Sequence, residues 1–131
     1  SFSNLGALTN GSNLRNDIQT VSLYDYALKG PRNTGLKSLG QIIGDFVTTG
    51  VGTNLNTGTV IGSHSNLSSI GFPPRFIPSF SYGEYPALRA FDFEKAFASA
   101  CAWIALKNQK IPENLRQSME EIWKADTSFR N

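Results

Sequence analysis

The sequence has little of several residue types that carry chemistry in other proteins. Its 131 residues include one cysteine, one histidine and one methionine. The lone Cys101 excludes an intrachain disulfide and a multi-cysteine metal site, so we expect no metal centre. A chain without disulfides suits a reducing, cytoplasmic setting.

Charge and long apolar runs are also scarce. Charged residues make up 17% of the chain, and the formal net charge is only +2. No run of Lys or Arg forms the basic stripe that nucleic acid or an anionic membrane requires. Nowhere do about 18 apolar residues follow one another, as a membrane-spanning helix needs. With 40% hydrophobic residues, the composition predicts a soluble globular protein with no nucleic-acid or membrane partner.

A six-residue repeat runs from Ile43 to Leu67. Two inward side chains recur every six residues, which suits a short strand that ends at a corner, and three such strands make a triangular coil of about 18 residues. The pattern predicts a left-handed parallel β-helix, an exception to the right-handed crossover rule. The first inward column is Ile43, Thr49, Leu55, Ile61 and Leu67, and the second is Val47, Thr53, Thr59 and Ser65.

Glycine and the breaks in the repeat mark turns and insertions. Gly44, Gly50 and Gly62 share one position of the hexapeptide, and we interpret them as residues that tolerate unusual backbone angles at tight turns. The repeat is lost between Asn16 and Leu36, which predicts a protruding β-hairpin arm. The chain opens within a repeat, so we expect a fragment of a longer enzyme.

The second half of the chain follows helical rather than six-residue patterns. Asp92 is the expected N-cap of a helix over Phe93–Lys107, and a second helix is expected from Pro112 to Lys124. The predicted boundaries are residues 1–83 for the β-helix, 17–35 for its arm, 71–83 for a Pro- and aromatic-rich cap, and 84–131 for a helical extension.

Several strings of residues resemble one enzyme family. They are Asn13–Asp17, Thr34–Gly40, Ile42–Asp45 and Thr49–Gly58. They resemble the left-handed β-helix half of bifunctional sugar-1-phosphate nucleotidyltransferase/acetyltransferases of the N-acetylglucosamine-1-phosphate uridyltransferase kind, which are related to UDP-N-acetylglucosamine pyrophosphorylase. The match is closest to a bacterial branch of related sugar nucleotidyltransferases. The resemblance covers nearly the whole chain.

So short a solenoid has a thin core and flat outer faces, which predicts a homotrimer. The resemblance implies that sugar phosphate and acetyl-CoA bind in clefts between subunits and that an acetyl group is transferred to a sugar amine. It also implies an N-terminal nucleotidyltransferase domain in the same protein. The family's general-base histidine would fall before Ser1, so no catalytic residue is identified. Family lysines early in the arm are replaced here by Gln19 and Ser22. The implied substrate- and cofactor-binding residues are Asn13, Arg15, Asp17, Lys37, Thr49, Gly50 and Asn56.

Three alternatives stay open at this point. Asn13, Arg15 and Asp17 could serve only to fix the arm through hydrogen bonds to backbone. The domain could be a trimerisation and regulatory platform, or a pure scaffold, with no chemistry of its own.

His64 stands in an outward column, so we expect a surface residue rather than a base. The aromatic residues Phe72, Phe76, Phe80, Tyr82 and Trp103 are interpreted as packing residues rather than a base-stacking platform.

Overall fold

The computed structural model describes residues 2–126. In this part of the chain twelve short strands precede two helices, so the protein is mainly β, as the repeat predicts. The strands are β1 (Asn4–Leu5), β2 (Asn10–Gly11), β3 (Ser22–Asp25), β4 (Gly30–Asn33), β5 (Ile42–Ile43), β6 (Thr48–Thr49), β7 (Asn54–Leu55), β8 (Val60–Ile61), β9 (Asn66–Ser69), β10 (Phe76–Ile77), β11 (Ser81–Tyr85) and β12 (Arg89–Ala90), and the helices are α1 (Phe93–Leu106) and α2 (Leu115–Asp126).

The chain passes through three sheets of parallel strands in rotation. The first sheet has the order β1-β6-β9-β11 with antiparallel β12 at its edge, the second is β2-β7, and the third is β5-β8-β10. Thr48 pairs with Asn66 and Ile42 pairs with Val60, in both cases 18 residues later. Within the hexapeptide run, the first and third sheets are therefore revisited at the interval of three hexapeptides.

A hairpin is inserted between β2 and β5. Strands β3 and β4 pair antiparallel, as expected for the arm. Asn4 pairs with Thr48, 44 residues later, because the hairpin and its connections lengthen this interval. The hairpin packs against the sheets rather than protruding from them: the Tyr24 ring stacks on Phe76 with 3.6 Å between ring centroids, and Val21 is fully buried.

The segment expected to cap the sheets continues two of them. Strand β10 pairs with β8, and β11 pairs with β9, both in parallel. Phe76 lies 16 residues after its partner Val60, because residues 70–75 pass the second sheet as a loop without a strand. The prolines of this segment lie in that loop or in the turn before β11, where their missing N–H breaks no ladder.

The interior between the sheets combines aliphatic side chains with satisfied hydroxyls. Thr53 Oγ1 donates to the Gly50 carbonyl at 2.8 Å, and Thr59 Oγ1 donates to the Asn56 carbonyl at 2.7 Å. A buried hydroxyl is costly without a partner, and this local bond satisfies both threonines, whereas Ser65 Oγ donates to the Pro78 carbonyl at 3.1 Å. The aliphatic core consists of Val47, Leu55, Ile61, Leu67 and Ile77.

The repeated glycines serve a purpose other than the predicted one. None of Gly44, Gly50 and Gly62 has a positive φ. A Cβ at Gly62 would instead lie 2.2 Å from the Ser79 nitrogen. The position excludes a side chain because the next pass of the chain lies against it.

The two helices pack on the last strands and on each other. Asp92 accepts a hydrogen bond from the Lys95 N–H at 3.0 Å, so the predicted N-cap is confirmed. Arg116 of α2 pairs with Glu94 of α1. Within residues 2–126, neither helix has the length and apolar character needed to cross a membrane. The core shared by helices and strands contains Phe80, Phe91, Ala96, Ala100 and Met119.

Candidate functional site

A cleft of about 350 Å³ opens at the base of the hairpin. It lies where the chain leaves β2, beside the turn after β7 and the loop of residues 70–75. We call it the arm-base cleft. Its lining residues are Ser12, Leu14, Arg15, Asn16, Asp17, Asn56, Thr57, Phe72 and Arg75.

Arg15 is held in one orientation by Asp17. Its Nε donates to Asp17 Oδ1 at 2.9 Å and its Nη2 to Oδ2 at 2.5 Å, which is a bidentate pair. Hydrogen bonding from Arg15 lowers the pKa of the Asp17 carboxyl below its usual value. Exposed pairs of this kind contribute little stability, but a bidentate fork fixes the guanidinium plane. Arg15 Nη1 also donates to the Thr20 carbonyl, at 3.5 Å. The second N–H groups of Nη1 and Nη2 can therefore meet a ligand with little reorganisation.

The polar base of the cleft is tied together by one glutamine. Gln41 Nε2 donates to the Ser12 carbonyl at 2.7 Å and to the Asn56 carbonyl at 3.1 Å. The Thr57 hydroxyl donates to the Leu39 carbonyl. These bonds fix the backbone on both sides of the cleft, while the Asn56 carboxamide makes no hydrogen bond among the described residues.

The loop of residues 70–75 supplies the remaining side of the cleft. The Arg75 carbonyl accepts from the Val60 N–H at 2.7 Å, which anchors the end of the loop to β8. The Arg75 guanidinium makes no ion pair within residues 2–126. Two guanidinium groups and one carboxylate, Asp17, leave the cleft with one net positive charge. Such a cleft favours a phosphate or another small anion.

Three of the seven residues implied as ligands meet in this cleft, namely Arg15, Asp17 and Asn56. The other four lie elsewhere. Asn13 is exposed next to the cleft, with its carbonyl bonded to the Leu39 N–H at 3.0 Å, and Lys37 is exposed outside it.

Thr49 and Gly50 belong to the first sheet. Thr49 is buried in the interior, where its hydroxyl is 3.0 Å from that of Thr9. Gly50 lines a separate shallow groove together with Asn66 and Tyr82. The side chain of Thr49 therefore faces away from any surface ligand.

The sole histidine lies outside the arm-base cleft. His64 is 5% exposed, so the expectation of a surface residue is wrong. Its ring stacks between Phe46 and Phe80, with 4.9 Å between centroids on either side. Trp123 of α2 packs edge-on against Phe80, so the helices cover this corner. Burial lowers the pKa of His64 from 6.5 to about 4, against the opposing charge of Asp45.

Phe72 and Arg75 are cleft residues that the sequence did not indicate. They follow the last hexapeptide, and the resemblance assigns them no role. The only available signal was that a phenylalanine and an arginine flank Pro73 and Pro74, where the six-residue repeat breaks down. Among residues 2–126, no cluster of three or more His, Cys, Asp or Glu side chains is arranged to hold a metal ion.

Comparison with models of known protein families gives no match, and comparison with curated proteins gives none either.

Proposed function

We propose that this chain is a left-handed β-helix domain of a sugar-nucleotide-forming transferase. In this proposal the domain works as a homotrimer and binds sugar phosphate and acetyl-CoA for acetyl transfer to a sugar amine. The parallel strands that return after 18 residues support the β-helix, because hexapeptide solenoids have this interval. The handedness follows from the resemblance of Asn13–Asp17 and Thr49–Gly58 to the uridyltransferase family.

The arm-base cleft is the observation that carries this proposal. Arg15 and Asn56 are separated by 41 positions in the chain, and the resemblance implies both as ligands; they line the same cleft. Asp17 holds the Arg15 guanidinium at this cleft through two hydrogen bonds. A phosphate is the anion shared by a sugar phosphate and CoA.

A second candidate is a trimerisation platform without chemistry of its own. This candidate is supported by the position of His64, the sole histidine of the chain. His64 is buried and lines no part of the arm-base cleft, so it supplies no base to a ligand bound there. The exposed aliphatic side chains of Leu8, Val51 and Ile70 also favour self-association. All three follow strands of the first sheet at the same end, and they form a stripe that a second copy could cover.

Calorimetric titration of the chain with acetyl-CoA and with a sugar 1-phosphate tests the transferase proposal. We expect both to bind, and Arg15→Ala to weaken binding by roughly tenfold or more, as the loss of a charged hydrogen-bond donor predicts. Arg32→Ala is the matched control, because Arg32 forms a similar exposed pair with Asp25 on the arm. Absence of binding at millimolar ligand would remove the acyltransferase function.

Sedimentation at micromolar concentration tests the assembly that both candidates require. We expect a trimer, and Val51→Glu should dissociate it by placing charge within the stripe. A monomeric wild-type chain would exclude both the subunit clefts and the platform.

A further inference from the structure

We propose that the arm-base cleft recognises a nucleoside diphosphate, with the base on the Phe72 ring and the diphosphate between the Arg15 and Arg75 guanidinium groups. This inference rests on the proposed function, since it names the class of ligand that the same cleft takes. It assigns binding roles to two residues, Phe72 and Arg75, for which the resemblance implies none.

The exposure of Phe72 is the first step. Phe72 is 57% exposed, although aromatic side chains bury large apolar areas in folded proteins. The neighbouring rings of Phe76, Phe80 and Tyr82 all contact other aromatic rings. Phe72 makes no such contact among the described residues, so a ring face is left for a ligand.

The loop geometry keeps this ring at the cleft. Residues 70–75 replace the strand that would have extended the second sheet. Pro73 is buried directly after Phe72, and the Arg75 carbonyl is bonded to the Val60 N–H at 2.7 Å. A proline with a fixed φ and an anchored end restrict the loop. Phe72 is therefore presented at the cleft at small entropic cost on binding.

The charge of the cleft suits a diphosphate better than a neutral sugar. Arg15 is already partly neutralised by Asp17, whereas Arg75 has no carboxylate partner within residues 2–126. Two guanidinium groups that line the same cleft can share the oxygens of two linked phosphates. A diphosphate offers these two groups more acceptor oxygens than a single phosphate does.

The remaining lining residues complete the fit. The Asn56 carboxamide makes no hydrogen bond among the described residues, and it can bond ribose hydroxyls as donor and acceptor. The cavity of about 350 Å³ lies in the range of known small-ligand sites. Aromatic stacking accepts every base, so the cleft alone selects neither the adenosine diphosphate part of CoA nor the uridine diphosphate of a nucleotide sugar.

Equilibrium titrations with ADP, UDP and inorganic pyrophosphate test the proposal on the 131-residue chain. We expect ADP and UDP to bind at least tenfold more tightly than pyrophosphate, since base stacking contributes about that factor. Phe72→Leu should remove this advantage and leave pyrophosphate binding unchanged. Arg75→Ala should weaken all three ligands by roughly tenfold. Arg32→Ala, on the arm and outside the cleft lining, should change none of them.

Each outcome decides between the two proposals. Tighter binding of ADP would assign the cleft to CoA, tighter binding of UDP would assign it to the nucleotide sugar, and either supports the inference. Sugar 1-phosphate binding that depends on Arg15 but not on Phe72 or Arg75 would overturn the inference and leave the proposed function intact. Nucleoside diphosphate binding without any acetyl-CoA or sugar phosphate binding would support the inference and overturn the proposed function. Circular dichroism of each variant at 25 °C confirms that the fold is retained before titration, and Phe72→Tyr, which keeps the ring, should bind as the wild type does.

Discussion

His64 should make the protein less stable as the pH falls from 7 toward 4. Its ring is 5% exposed between Phe46 and Phe80, and burial lowers its pKa from 6.5 to about 4. Between these two values the unfolded chain binds a proton that the folded chain does not. Protonation therefore favours the unfolded state, and the free energy of unfolding falls as the pH is lowered through this window.

The magnitude follows from the two pKa values. The full difference between 6.5 and about 4 corresponds to about 3 kcal/mol, of which about 2 kcal/mol is already lost at pH 5. Small domains have free energies of unfolding of roughly 5–15 kcal/mol, so the effect is a large fraction of the total. At pH 5 most carboxylates are still ionised, which separates the histidine from general acid denaturation.

Urea denaturation, followed by tryptophan fluorescence at pH 7, 6 and 5, measures the effect. The matched control is His64→Phe, which extends the column of rings and lacks the titrating group. The backbone accepts it, because Phe46 and Phe80 hold the same left-handed conformation with φ of 57° and 58°, against 60° at His64. The variant should lose about 2 kcal/mol less than the wild type between pH 7 and 5. Equal losses in both proteins would refute the reasoning.

Three further substitutions test the packing of the fold by urea denaturation at pH 7. Asp92→Ala should lower the free energy of unfolding by about 1 kcal/mol through loss of the helix cap, whereas Asp92→Asn should not. Gly62→Ala should lower the free energy of unfolding by about 3 kcal/mol, because its Cβ would meet the Ser79 backbone. Gly71→Ala is the control and should change the free energy little, because a Cβ there would have nothing within 4 Å. Equal effects of the two substitutions would show that the close approach of Ser79 to Gly62 is not what excludes a side chain. Ser69→Ala should raise the free energy of unfolding by up to about 1 kcal/mol, because its buried hydroxyl has no partner among residues 2–126. A clear loss of stability would indicate that this hydroxyl forms a hydrogen bond in the folded protein.

The strand positions could be predicted because they depend on short-range order. A large inward residue every six positions and a hydroxyl two before it describe one strand and one corner. The Thr53 and Thr59 bonds show that each corner is closed by residues only three positions apart. The Asp92 cap is equally local, since its partner is Lys95. Such features can be inferred from a window of a few residues.

The placement of individual side chains in the site depended on contacts between distant segments. His64 follows the hexapeptide pattern of an outward residue. It is buried because Phe46 and Phe80 stack on its two faces and Trp123 of α2 packs against Phe80. Thr49 was implied as a ligand, but its position in the first sheet turns the hydroxyl toward Thr9. The hexapeptide pattern alone could predict neither the burial of His64 nor the orientation of the Thr49 hydroxyl. It contains no information about which distant segments pack against these positions.

The sequence by itself determined the mainly β class, the 18-residue interval between paired strands, the hairpin and both helices, since each follows from local periodicity and capping. Only the tertiary structure decided that Arg15, Asn56, Phe72 and Arg75 share one cleft. The physical reason is that the loop of residues 70–75 omits one strand and brings its side chains back to the base of the hairpin. Such a return is fixed by the stacking of successive passes of the chain, which no short stretch of sequence encodes.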